Sequence, residues 1–215
     1  MADHVPAGIR RGNGHCARRG AGQGDQRVEV PVDQRTLQID LDGIAARARE
    51  AGLIFLCNPN NPTGNFMDAK HFITIAELGI PFVVDEAYVE YAGLGMSQVQ
   101  LTKKYKNVLI TRTLSKAYGL AGMRFGYTIA DKEVIDQIAG SLLPWNVGTI
   151  PMWAALAAFE DTQGLAERIK FNNSEVDFIT ESTIRPLEGQ RERKVSRHAS
   201  GPRCRTSFPL TMKIT

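Results

Sequence analysis

The chain has 215 residues, of which 43% are hydrophobic and 23% charged, and its formal net charge is +3. That make-up is of a soluble globular protein with one sizeable core, which excludes disorder of the whole chain. Apolar runs such as GLIFLC and PFVV fall far short of the roughly 20 residues needed to cross a bilayer.

The N-terminal stretch MADHVPAGIRRGNGHCARRG has arginines without an apolar run behind them, so it does not read as a secretory signal, and a cytoplasmic protein is expected. Charge is segregated along the chain. Residues 1–27 carry five Arg against two Asp and residues 185–215 carry eight Lys or Arg against two Glu, which leaves the middle at −6. Basic ends around an acidic centre are one pattern of nucleic-acid arms. These ends lack interleaved aromatics and periodicity, so they read instead as disordered tails, 1–27 and 188–215, around one globular unit. Nucleic acid and membrane are therefore not expected partners. Cys16, Cys57 and Cys204 are scattered, never at metal-ligand spacing, and read as reduced thiols with no metal site.

Between the tails, short β-branched runs alternate with helical patterns. GLIFLC (52–57), IPFVVD (80–85) and NVLITR (107–112) read as buried strands. DAKHFITIAEL (68–78) opens on a capping type of residue and spaces Phe72, Ile75, Ala76 and Leu78 as a helix does, with Gly79 as its stop. DKEVIDQIAGSLL offers Asp131 as a cap and a stripe of Val134, Ile138 and Leu142; IPMWAALAAFED begins with Pro151 in a first turn. This alternation predicts an α/β fold, three-layered, with a mostly parallel sheet and helices on both faces.

Each predicted strand runs into a polar cluster: NPNNPTG after the first, DEAY after the second, TLSK after the third. In open α/β sheets ligands sit outside the carboxyl ends of the strands. The clusters thus bring Asn61, Asp85, Tyr88, Ser115 and Lys116 to one sheet edge as a candidate site. Taken singly, each has a plainer reading as a turn residue, a helix cap, a surface aromatic or a solvated charge. Four chemically distinct kinds of group at one edge make the joint reading the stronger one.

NPNNPTG, DEAYVEY and TLSKAYGLAGMRFGY, in this order and spacing, resemble the motif series of fold-type I pyridoxal-phosphate aminotransferases, most closely the histidinol-phosphate aminotransferases. The resemblance runs from about Val28 to Leu187 and implies that residues 28–187 are part of a cofactor-binding large domain. It assigns the cofactor pyridoxal 5'-phosphate, held as a Schiff base by Lys116, which is also expected to carry the proton between substrate and cofactor. A lysine amine in a low-polarity pocket serves both roles, and such a pocket is expected here. The resemblance places Asp85 at the pyridine nitrogen and Tyr88 with Asn61 at the ring's 3-oxygen. It places Ser115, Arg124 and Thr113 at the phosphate, and Asn146 at the substrate or a neighbouring subunit. Gly119, Gly122 and Gly126 are expected where the backbone turns tightly.

The implied reaction moves an amino group between an amino acid or amino-alcohol phosphate and a 2-oxo acid, here L-histidinol phosphate and 2-oxoglutarate, in a homodimer. An aromatic amino-acid aminotransferase, an amino-acid-phosphate decarboxylase and a truncated, inactive cofactor-binding fragment remain open alternatives. The family's N-terminal phosphate loop and stacking aromatic, and the C-terminal small domain with its carboxylate-binding arginine, have no counterpart in residues 1–27 or after Gly189. The basic ends are therefore expected to come from shifted reading frames or a truncated gene.

Overall fold

Runs of Ile, Val, Leu and Phe that alternate between two faces form strands when each face can be buried. The computed structural model, which describes residues 7–10, 27–33 and 37–184, places such runs at the centre of one sheet. Its strands are β1 (Ala7–Arg10), β2 (Arg27–Val30), β3 (Leu53–Cys57), β4 (Phe82–Asp85), β5 (Val108–Thr113) and β6 (Gly126–Ile129). Its helices are α1 (Leu41–Ala48), α2 (Ala69–Ala76), α3 (Val89–Ala92), α4 (Lys132–Ala139), α5 (Thr149–Glu160) and α6 (Thr162–Ile179).

The strand order is β2-β1-β3-β4-β5-β6. The three strands expected from the sequence pair in parallel, with Leu56 opposite Val84 and Val84 opposite Ile110. Parallelism ends there: β1 pairs antiparallel with β2 and β3, and β6 antiparallel with β5. The α/β fold is as expected, whereas the sheet over all six strands is mixed. The added strands are four residues each and lack a long apolar run, so their pairing is set by backbone hydrogen bonds that composition does not reveal. The strand Ala7–Arg10 also falls inside the stretch 1–27 that composition marked as a tail. Residues 1–6 and 11–26 of that stretch, and all of 188–215, lie outside the described residues, while Arg27 opens β2.

The core lies between one sheet face and α1 with α2. Ile54, Leu56, Phe82, Val84, Val108 and Ile110 meet Ile44 and Ala48 of α1 and Phe72, Ile75 and Ala76 of α2 in a single cluster. Phe72 and Phe82 stack at 6.2 Å between centroids, and both are fully buried, which is worth about 1.5–3 kcal/mol for each side chain. The α1 cap is Asp40, whose carboxylate accepts from the Gly43 N–H at 2.9 Å. Asp68 precedes α2 without capping it; its carboxylate pairs with Lys70 at 3.3 Å instead. Asp131 caps α4 through the Glu133 N–H at 2.9 Å, and that helix stops before Gly140, leaving Leu142 outside it and exposed. No helix among the described residues is long and apolar enough to cross a membrane.

Candidate functional site

The parallel arrangement brings the carboxyl ends of β3, β4 and β5 together, and the three polar clusters follow from it. After β3 the chain turns through two cis Asn–Pro peptides. Asn58 is buried, accepting from the Met67 N–H at 2.9 Å, while Asn60 donates to Thr63 Oγ1 at 2.8 Å. These ties set the turn and leave Asn61 exposed, where its Nδ2 donates to the Tyr88 hydroxyl at 2.9 Å.

Asp85 ends β4. Its Oδ1 accepts from the Ala87 N–H at 3.1 Å. Burial pushes its pKa above the usual carboxylate value, against the opposing pull of hydrogen bonds from Ala87 and Thr111 and of the nearby Lys116 charge. The next residue, Glu86, is fully buried and satisfied: Arg112 donates through Nη2 and Nε at 2.9 and 3.1 Å, Ser97 through its hydroxyl at 2.8 Å, and the Gln98 N–H at 2.6 Å. This pair fixes the end of β4 beside β5.

After β5, the 114–125 loop carries Lys116. Its Nζ stands 5.2 Å from the centroid of the Tyr88 ring, so the amine, the phenol and the Asn61 amide form one group. The Thr113 and Ser115 hydroxyls are 2.9 Å apart, and Thr113 Oγ1 also accepts from the Ser115 N–H. Arg124 does not reach these hydroxyls with a hydrogen bond. Its backbone is left-handed (φ 52°) and its Nη1 donates to the Ala121 carbonyl in its own loop. Asn146 is exposed in the connection from α4 to α5.

Two expectations change. The low-polarity pocket foreseen around Lys116 is not formed by the described residues: the residue is exposed, at the side of an open cleft of about 520 Å³ whose other wall is α6. Among the three glycines expected at tight turns, Gly119 takes a left-handed φ of 71°, and a Cβ at Gly126, the first residue of β6, would lie 2.9 Å from the Arg112 carbonyl oxygen, whereas Gly122 has open space around it.

Sequence reasoning passed over Glu86 and Arg112. The available signal was charge beside apolar runs, since a buried charge requires a partner. Glu90 is a further buried acid. Both its carboxylate oxygens lack a hydrogen-bond partner among the described residues, and burial raises its pKa.

The model of the aminotransferase class I and II family matches residues 21–184. The chain belongs to that family. Its members are enzymes. A histidinol-phosphate aminotransferase of Staphylococcus saprophyticus is 44% identical over 154 residues, 69% of this chain and 43% of that protein. An aromatic amino acid aminotransferase of Mycolicibacterium vanbaalenii is 40% identical over 66% of this chain and 41% of its own length. Among solved structures, the histidinol-phosphate aminotransferase of Sinorhizobium meliloti in complex with pyridoxal-5'-phosphate superposes with a TM-score of 0.66 at 32% identity, covering 72% of this chain and 43% of that one. The chain thus spans less than half the length of each of these relatives.

Proposed function

We propose that this chain provides the cofactor-binding part of a pyridoxal-phosphate aminotransferase of the histidinol-phosphate type, exchanging an amino group between L-histidinol phosphate and 2-oxoglutarate. The observation that carries the reading is the placing of the Lys116 amine over the Tyr88 ring, with the Tyr88 hydroxyl hydrogen-bonded to Asn61. The donor set fits the cofactor's polar edges: an amine for its aldehyde, a carboxylate for its ring nitrogen, a phenol and an amide for its 3-oxygen, and paired hydroxyls for its phosphate.

When bound, the cofactor supplies an electron sink for carbanion chemistry. The chain's own groups do the rest. Lys116 Nζ would hold the cofactor at its aldehyde carbon, the carbonyl oxygen leaving as water, and once released from that bond would carry the proton at the substrate carbon. Asp85 holds the proton on the ring nitrogen, and its tie to Ala87 keeps one oxygen oriented. Asn61 and Tyr88, joined by their own hydrogen bond, would hold the ring's 3-oxygen beside the amine. Thr113 and Ser115 donate to the phosphate, and Arg124 joins them by leaving the Ala121 carbonyl. Asn146 is assigned to the substrate side on resemblance alone. Homodimer formation and a cytoplasmic location belong to the same proposal.

The Mycolicibacterium relative supports a second substrate reading, transfer from aromatic amino acids. A substrate panel separates the two. A chain that takes up cofactor without turnover would fit the fragment reading. The test of the site is an absorbance titration with pyridoxal phosphate, borohydride reduction and peptide mapping. The expected result is a visible band locked onto Lys116 and lost in Lys116→Ala; a folded chain that gives no band refutes the assignment.

A further inference from the structure

The open cleft beside Lys116 has a second wall that the motif series does not include. Helix α6 lines it with Gly164, Arg168, Phe171 and Glu175, a stripe at helical spacing, and Lys116 with Ala117 faces them. A hydrogen bond crosses the cleft: Arg168 Nε donates to the Ala117 carbonyl at 3.2 Å, between residues 51 apart in sequence.

We infer that Arg168 is a positioning residue for Lys116, holding the lysine loop to α6 through the Ala117 carbonyl. The inference rests on Lys116 as the reactive amine. The loop secures its own backbone at several points, among them Leu114 N–H to the Phe125 carbonyl at 3.1 Å, Leu120 N–H to the Leu114 carbonyl at 2.9 Å, and Gly119 N–H to the Lys116 carbonyl at 2.9 Å. The Ala117 carbonyl, one peptide beyond the lysine, is instead taken by a charge-assisted donor from α6.

That donor is oriented in turn. Arg168 Nη2 lies 3.4 Å from Asp161 Oδ2, while the other oxygen of Asp161 caps α6 by accepting from the Gly164 N–H at 2.9 Å. A Cβ at residue 164 would overlap the Asp161 carboxylate, so glycine there lets cap and ion pair coexist. Asp161, Arg168 and the Ala117 carbonyl therefore form a chain from the helix start to the lysine. Because reactivity depends on where the amine points, loosening this chain changes Lys116 more than it changes the fold.

The experiment compares the full chain with Arg168→Met, which keeps the stem and removes the donors, Arg168→Lys, which can restore one, and Asp161→Asn, which keeps an oxygen for the α6 cap. Two probes read Lys116 by peptide mass spectrometry: acetic anhydride without cofactor, and pyridoxal phosphate with borohydride. Exposed Lys70 serves as the internal reference. Arg168→Met should slow trapping of pyridoxal phosphate at Lys116 by about tenfold and shift the Lys116 to Lys70 acetylation ratio by at least about threefold. Arg168→Lys should recover most of both, and Asp161→Asn should fall between. If Arg168→Met fails to fold, Asp161→Asn decides. Unchanged acetylation ratios in the folded variants overturn the inference. If the unsubstituted chain is never trapped by pyridoxal phosphate, the functional reading fails, while the acetylation ratios still decide the role of Arg168.

Discussion

Glu90 and Asp85 are both carboxyls shifted upward by burial, and their surroundings separate their roles. Asp85 keeps two hydrogen bonds and a nearby amine to favour its charged form. Glu90 is only 4% exposed and neither oxygen is hydrogen-bonded to another residue among those described, so only its own backbone N–H and the Arg112 charge oppose the upward push of burial and of Glu86. Since Arg112 is already committed to Glu86 at 2.9 Å, a charged Glu90 would be in excess. Its folded pKa lies above 4.5, so the folded state binds more protons than the unfolded one between those two values. Glu90 therefore leaves stability at its highest at or below the unfolded value, and stability falls as pH rises through the folded value. Glu90→Gln, which mimics the neutral acid, should match the unsubstituted chain at acid pH and exceed it at neutral pH. Glu90→Met, which removes the unsatisfied oxygens, should be more stable by about 1–3 kcal/mol at neutral pH. Urea midpoints across pH test this; a difference between the unsubstituted chain and Glu90→Gln that does not change with pH would sink it.

At the scale of elements, β4 and β5 are joined by their ladder and again by the Glu86–Arg112 pair, with Ser97 bonded to both charged groups. Arg112→Met would leave a fully buried carboxylate with two fewer donors, and a loss of about 3–5 kcal/mol is expected from denaturant unfolding. A loss under about 1 kcal/mol would mean that Glu86 is neutral or reaches water. The three parallel strands were legible because their runs are apolar and bounded by turn residues. Their polar ends were legible because strand direction puts them at one edge. The ion pair was not legible, because Glu86 and Arg112 are 26 residues apart in sequence and only the register joins them. The exposure of Lys116 was hidden for a related reason: TLSK states which residue is present, and the far wall of its cleft comes from α6, which begins only at Thr162. The Tyr118–Phe159 and Tyr127–Phe159 edge contacts, at 5.5 and 5.8 Å, tie α5 to the lysine loop and to β6 and are equally silent in the sequence.

For the whole molecule, the surface of α5 sets the main constraint. From Ile150 to Phe159 this helix has no polar side chain beyond the Trp153 indole, and a helix apolar on all sides is ordinarily buried all round. Here only Ala155 is buried, while Ile150 is 73% and Trp153 68% exposed, with Leu143 and Trp145 of the preceding connection at 78% and 94%. A contiguous apolar surface of this kind costs solubility unless it is covered. A second copy of the chain, meeting the same surface about a two-fold axis, would cover it with one self-complementary contact. The purified chain should therefore sediment as a dimer at micromolar concentration, and Ile150→Lys with Trp153→Glu should shift it to a monomer. Neither residue is part of the Asn61–Tyr88–Lys116 group, so trapping of pyridoxal phosphate at Lys116 should survive in the monomer if one copy builds that site alone. A chain that sediments as a monomer before substitution would show that α5 is not a contact between copies. Loss of trapping together with the dimer would show instead that the site takes a residue from each copy.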